Sequence, residues 1–183
     1  MVGSVARVFV AVPLPAEVRL ALDEKLGRHM VPGKVAPPEN WHLTLRFFGN
    51  VDEVTYQRIV AELDTVDLGQ RFRVGLGGLG AFPNPKRATV LWVGVTHGGD
   101  ELSELALTTE EAAQTAGLPP EERPFHPHLS LSRIRPQVDV SSLIEAFGDT
   151  GFGWRCETMV VYQSHLESGA ARYEPLEVFN LRR

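Results

Sequence analysis

The chain is 183 residues long, with 18 Lys+Arg against 23 Asp+Glu, a formal net charge of −5 and 43% apolar residues. That balance belongs to a globular protein and excludes a generally basic nucleic-acid coat, so any RNA chemistry must use a local basic site. A single cysteine, Cys156, excludes an intrachain disulfide and a cysteine-rich zinc centre and fits a reducing, cytoplasmic setting, and no window approaches the ~18 apolar residues of a membrane span.

The length fits one compact unit or two small lobes sharing a core. Arg7 to Pro13 is β-branched and aromatic and reads as a strand; the apolar run Val8 to Val12 lacks a cleavage site and is not taken as a signal peptide. Pro15 is expected in the first turn of a helix whose apolar stripe is Val18, Leu22 and Leu26. The segment from Gly33 to Asn40, with Pro37 and Pro38, reads as a loop. His42 to Phe48 alternates as a strand, ended by Gly49-Asn50. Asp52 then caps a helix whose inner face is Tyr56, Ile59, Val60 and Leu63.

Phe72 to Leu76 is a weaker strand running into Gly75, Gly77, Gly78 and Gly80, and Phe82 to Pro85 is a turn. Thr89 to Val95 is a strong strand. A third helix carries Leu102, Leu105, Thr109, Ala112 and Ala116 on one side and stops at Gly117, with Pro119-Pro120 beyond. Phe125 to Ile134 alternates again, Ser141 to Phe147 is a short helix, and Trp154 to Gln163 and Glu177 to Leu181 are strands. No strand opens onto a phosphate-binding glycine fingerprint and no G-K-[ST] occurs, which argues against a nucleotide-binding parallel sheet.

A weak repeat runs through this order. Strand, helix, histidine-bearing strand and helix occupy residues 7–65 and recur in residues 89–147. Each copy holds a tetrad of the same form, His42-Leu43-Thr44-Leu45 and His128-Leu129-Ser130-Leu131. Side chains alternate along a strand, so each tetrad offers one imidazole and one hydroxyl to one face and anchors two leucines in a core. In-line cleavage of a phosphodiester needs one group to deprotonate the nucleophile and another to protonate the leaving oxygen. Imidazole performs either task near neutral pH, and hydroxyls donate to the charged non-bridging oxygens.

Trp41-His-Leu-Thr-Leu-Arg-Phe-Phe-Gly49 and Pro127-His-Leu-Ser-Leu-Ser-Arg133 resemble the paired H-x-[ST]-x motifs of the two-histidine phosphoesterases. The closer resemblance is to the LigT-like branch, the RNA 2′,3′-cyclic phosphodiesterases, also called 2′-5′ RNA ligases. It extends through Arg7 to Pro13, Gly80 to Pro83, Val90 to Val95 and the tail from Ser164 through Gly169 to Leu176, with Ser130 where Thr is commoner. The resemblance implies an α+β, bilobal, pseudo-two-fold fold in which two antiparallel sheets face a central cleft with helices outside. Residues 1–183 would form one catalytic domain, each lobe contributing one motif, 42–45 and 128–131. It further implies hydrolysis of RNA 2′,3′-cyclic ends to 2′-phosphomonoesters, with His128 as base, His42 as acid, Thr44 and Ser130 on the phosphate, and neither cofactor, metal nor obligate protein partner. Sequence symmetry alone leaves the acid and base interchangeable. The reverse ligation, action on a small nucleotide such as ADP-ribose 1″,2″-cyclic phosphate, and a non-catalytic RNA-end binder are the competing readings.

Three further residues are candidates for substrate contact. Arg46 shares parity with His42 and Thr44. Arg133 has the opposite parity to His128 and reaches the cleft only if the strand twists or ends there. His126 precedes His128 by two and is expected at the strand entrance; no carboxylate at a matching spacing completes a metal site with it. His165 and Tyr173 bracket a hairpin tip and read as structural, Lys86-Arg87 as solvated, and Trp41, Phe48, Trp92, Trp154 and Cys156 as core.

Overall fold

The computed structural model describes residues 6–183. Its strands are β1 (Ala6–Pro13), β2 (Lys34–Val35), β3 (His42–Val51), β4 (Phe72–Phe82), β5 (Ala88–His97), β6 (His128–Val138), β7 (Gly153–Cys156), β8 (Thr158–Leu166) and β9 (Ala171–Asn180). Its α-helices are α1 (Ala16–Leu26), α2 (Glu53–Thr65), α3 (Gly99–Thr115) and α4 (Ser141–Phe147). The strands form two sheets, ordered β3-β1-β8-β9 and β2-β6-β5-β4-β7, with antiparallel pairing between all neighbours. One sheet therefore carries the first tetrad and the other carries the second. The helices flank them, α3 against β3 and α2, and α4 against β4.

The repeat is visible in the pairing. β1 runs beside β3 with Pro13 opposite His42 and Ala11 opposite Thr44. β5 runs beside β6 with Gly94 opposite His128 and Trp92 opposite Ser130. Setting β1 on β5 and β3 on β6 superposes the orders β3-β1-β8-β9 and β6-β5-β4-β7, and leaves β2 as the one strand without a counterpart. Strands that follow the two repeats cross over: β4 joins the second sheet, and β8 and β9 join the first, so the two lobes are interleaved along the chain. Val18, Leu22 and Leu26 are buried, as are Ile59 and Leu63, so both helical stripes face the core as their spacing predicts. The Asp52 carboxylate accepts from the Thr55 amide at 2.8 Å and starts α2.

Several boundaries differ from the sequence reading: β6 runs His128–Val138 rather than Phe125 to Ile134, and β9 starts at Ala171 rather than Glu177. Pro15 sits at the N-cap of α1 rather than inside its first turn. The glycine-rich stretch belongs to β4, because Trp92 on β5 lies across Gly80; a Cβ there would come within 2.1 Å of the indole. The single strand expected over Trp154 to Gln163 is two strands, β7 and β8, in different sheets. No Gly, Pro or Asn interrupts Trp154 to Gln163, so the segment reads as one strand, although burial passes from the alternating Trp154 and Cys156 to the consecutive Met159, Val160 and Val161. Finally, Lys34–Val35 pairs with β6, within a segment read as loop.

Candidate active site

Each tetrad ends in a bulge. Val10 pairs with Arg46 and Ala11 with Thr44, leaving Leu45 as an extra residue; Leu91 pairs with Ser132 and Trp92 with Ser130, leaving Leu131 extra. A bulge reverses the alternation beyond it. Leu131 and Ser132 are accordingly both buried, and Arg133 emerges on the same side as His128 and Ser130. The parity that set Arg133 apart in the sequence thus does not hold in the fold. The same shift on β3 presents Phe47, half exposed, at the position that Arg133 holds on β6.

The two tetrads line one cleft of about 930 Å³. His42, Thr44, Arg46, Phe47 and Tyr173 come from the first sheet, and His126, His128, Ser130 and Arg133 from the second sheet and the segment entering it. Both catalytic candidates are held alike. His42 Nδ1 lies 2.7 Å from the carbonyl of Asn40, and His128 Nδ1 lies 2.6 Å from the carbonyl of His126. A carbonyl only accepts, so Nδ1 carries the proton in each neutral ring and Nε2 is left for the cleft. His42 Nε2 is 2.9 Å from Thr44 Oγ1, the bond that in the neutral ring the hydroxyl donates.

Aromatic rings wall both imidazoles. Phe9 stands 4.9 Å and Tyr173 5.3 Å from the His42 ring, centre to centre. Phe82 stands 5.1 Å and Trp92 6.1 Å from His128. These apolar surroundings disfavour the imidazolium. Burial lowers the His42 pKa to about 4, against the Asn40 carbonyl, which raises it, and with a smaller contribution from His128 across the cleft, which lowers it. Burial also lowers that of His128, opposed by the His126 carbonyl and assisted by charge repulsion from His126. Both rings are therefore neutral in the free protein at pH 7.

The remaining candidates fall into place differently. Arg46 reaches the cleft wall, but its guanidinium is occupied: Nε pairs with Glu110, Nη2 donates to the Pro119 carbonyl at 2.8 Å, and Nη1 donates to the Phe47 carbonyl at 2.8 Å and faces Glu121 at 3.4 Å. It ties β3 to α3 and to the segment that leads into His126-Pro127-His128. His126 is exposed at the strand entrance, with its ring edge-on to Trp92 at 5.3 Å. His165 pairs with Glu174 at 2.7 Å on the β8–β9 hairpin. Cys156 is buried and its thiol is pushed up to about 12 by burial. Tyr173, Trp92 and Phe47 went unrecognised in the sequence because their approach to the histidines depends on strand pairing between distant segments and on the bulges.

The model of the LigT like Phosphoesterase family matches this chain twice, over residues 12–92 and 93–173. The chain belongs to that family. The RNA 2′,3′-cyclic phosphodiesterase of Archaeoglobus fulgidus is 34% identical over 94% of this chain and 99% of its own. That of Aeropyrum pernix is 39% identical over 73% and 76%. Among solved structures, a phosphoesterase matches with a TM-score of 0.86 at 26% identity, covering 98% of this chain and all of its own. Escherichia coli LigT complexed with 3′-AMP matches with a TM-score of 0.85 at 26% identity, again over 98% and 100%. The double match to the family model restates the internal repeat, and its division at residue 92 falls inside β5 rather than at a lobe boundary, as interleaved lobes require.

Proposed function

We propose that this LigT-like phosphoesterase hydrolyses RNA 2′,3′-cyclic phosphodiester ends to 2′-phosphomonoesters, using His42 and His128 as its acid and base. The observation that carries the reading is the matched pair of imidazoles lining one cleft, each oriented through Nδ1 by a carbonyl two residues upstream. The curated relatives named RNA 2′,3′-cyclic phosphodiesterase supply the substrate class.

In this mechanism His128 Nε2 takes a proton from water as its oxygen attacks phosphorus. The P–O3′ bond breaks on the opposite side, and His42, protonated at Nε2, gives its proton to the departing 3′ oxygen. When a 5′-hydroxyl replaces water as the nucleophile, the same roles open the ring to a 2′-5′ linkage, and His42 and His128 exchange them when that linkage is cleaved back to the cyclic end. The cyclic phosphate is an anion, and its arrival between the rings favours the imidazolium that burial disfavours in the free protein. Thr44 and Ser130 donate to the non-bridging oxygens, Arg133 adds a positive charge beside them, and His126 contributes its carbonyl to His128. Residues 1–183 act as one two-lobed catalytic domain with one motif per lobe. Its lone buried thiol suits a reducing compartment, and we place it in the cytoplasm.

The deciding experiment is turnover of a short RNA bearing a 2′,3′-cyclic end in excess EDTA, with the product read by phosphorus NMR. A 2′-phosphate formed at full rate is expected. A 3′-phosphate would reverse the leaving-group assignment, and loss of activity restored by one divalent ion would replace the mechanism with a metal-assisted one.

A further inference from the structure

The one strand without a counterpart in the repeat, β2, sits at the cleft. Its two residues, Lys34 and Val35, pair with Arg133 and Ser132 of β6, and all four line the cavity. Lys34 and Arg133 are thus cross-strand neighbours. Like charges directly opposite on antiparallel strands repel, and such pairs are ordinarily balanced by a carboxylate. Among the described residues neither takes part in an ion pair. The two carboxylates that line the cavity, Glu110 and Glu121, are both engaged by Arg46.

The repulsive arrangement is built rather than incidental. Gly33 has φ +84°, and a Cβ there would come within 2.3 Å of the Arg133 carbonyl. The Ser132 hydroxyl donates to the Pro32 carbonyl at 2.5 Å, and the Ala36 amide donates to the Leu131 carbonyl at 2.7 Å. These contacts fasten β2 across the bulge that turns Arg133 into the cleft. The same cavity is lined by Ser103, Ala106, Leu107 and Glu110 of α3, one helical face, with Leu107 59% exposed. The cavity that holds the tetrads thus also holds two cations without an ion-pair partner and the exposed Leu107.

We infer that Lys34, next to Arg133 and one step farther from the tetrads, forms a second phosphate subsite, which takes the phosphodiester on the 5′ side of the terminal nucleotide and makes an oligoribonucleotide, rather than a cyclic mononucleotide, the preferred substrate. This rests on the proposed hydrolysis of cyclic RNA ends and specifies its substrate. The bridging phosphate supplies the anion that the paired cations lack, and Leu107 and Val35 flank the nucleoside beyond it.

The test compares three substrates: a nucleoside 2′,3′-cyclic phosphate, a dinucleotide with the same cyclic end, and that dinucleotide with a neutral methylphosphonate linkage. Wild-type protein is expected to favour the charged dinucleotide by about tenfold in kcat/KM, mostly through KM, as a charge-assisted contact provides. The methylphosphonate should lose that advantage. Lys34→Gln should lose most of it on the charged dinucleotide alone and make the log–log salt dependence shallower by about 0.7, the value for one single-strand phosphate contact. Equal kcat/KM on charged and neutral dinucleotides, or a Lys34→Gln loss that falls equally on all three substrates, overturns the subsite while leaving the hydrolysis intact. Failure to turn over any of the three overturns the hydrolysis itself.

Discussion

Asn40 holds His42 from behind: its carbonyl accepts from Nδ1 at 2.7 Å, while its own side-chain amide donates to the Ala171 carbonyl at 2.6 Å. The anchor of the first histidine is thus itself anchored on β9, and the ring cannot turn without breaking its bond to the carbonyl which that residue holds in place. With Nδ1 committed, Nε2 is the only nitrogen that titrates toward the cleft.

The pH–rate profile follows from that restriction. The proposed mechanism needs one ring neutral and the other protonated, so kcat/KM should be bell-shaped, with limbs that belong to the coupled pair. Burial lowers both histidines, His42 to about 4, so the optimum should lie on the acid side of the ordinary histidine value near 6.5. The kcat profile, which reports the complex, should move to higher pH because the bound phosphate anion favours the imidazolium. Rates across pH 4–9 at low and saturating substrate measure both curves, and a flat profile would exclude the paired-histidine mechanism.

The same shift predicts a pH dependence of stability. The unfolded chain binds a proton at His42 near pH 6.5 and the folded protein only near pH 4, so between these values the unfolded state holds more protons. Stability should be fully present above pH 6.5 and fall on acidification toward pH 4, by at most roughly 3 kcal/mol for this residue. His128, lowered in the same direction, adds to the loss. Urea unfolding of wild type and His42→Gln at pH 5 and pH 7.5 isolates the effect. The variant should be less sensitive to acidification, and identical slopes would refute the assignment.

His42→Ala and His128→Ala should each lose about 10²–10⁴-fold in kcat with a native circular dichroism spectrum. Because both protons move in one displacement, the double variant should lose far less than the product of the single losses. Thr44→Ala and Ser130→Ala should reduce kcat by less and leave both pH limbs nearly in place, although Thr44→Ala also frees His42 Nε2 from its 2.9 Å partner. Near wild-type turnover in either single histidine variant would remove that residue from the chemistry.

How far the sequence could be read follows from what each element depends on. Ser141 to Phe147 and the Asp52 cap are set by residues a few positions apart, and both were legible. The two tetrads were legible because a strand's alternation is local and the motif occurs twice. What escaped depends on pairing between distant segments. The change of sheet at Glu157 has no turn residue to announce it within Trp154 to Gln163. The glycines of β4 read as a strand interruption until Trp92, on the neighbouring strand, is placed over Gly80. The bulges at Leu45 and Leu131 change the face of the residues just beyond them, which is why parity withheld Arg133 from the cleft; that Arg46, on the cleft wall, commits its guanidinium to Glu110 and Pro119 was not foreseen.

Arg46 offers a test of positioning rather than of contact with substrate. Its side chain is only 10% exposed and that of its partner Glu110 17%, so removing either leaves a largely desolvated charge unpaired. Arg46→Ala should cost about 3–5 kcal/mol of stability, the range for a broken buried pair. Glu110→Gln, which keeps a polar partner for the guanidinium, should cost less. Both should reduce kcat more than they raise KM, because the segment they release leads directly into His128. Full activity per folded molecule in Arg46→Ala would show that the clamp stabilises the fold without aligning the histidines.

Trp92 and Gly80 give the sharpest packing test. The indole fills the space a Cβ at residue 80 would need, with the nearest approach at 2.1 Å, and its other neighbours are Phe82, His126 and His128. Gly80→Ala must push a rigid ring aside or separate β4 from β5, and overpacking of this kind costs about 1–3 kcal/mol. The displaced ring would press on His128, the proposed base, so kcat should fall along with stability. Trp92→Leu removes the obstacle, and Gly80→Ala should then cost much less in that background. A thermal-unfolding and kcat cycle over wild type, both single variants and the double variant reads the coupling directly. Additive effects would mean that the ring does not depend on the missing Cβ. A large positive coupling in both measurements would establish that a glycine on one strand sets the position of the histidine two strands away.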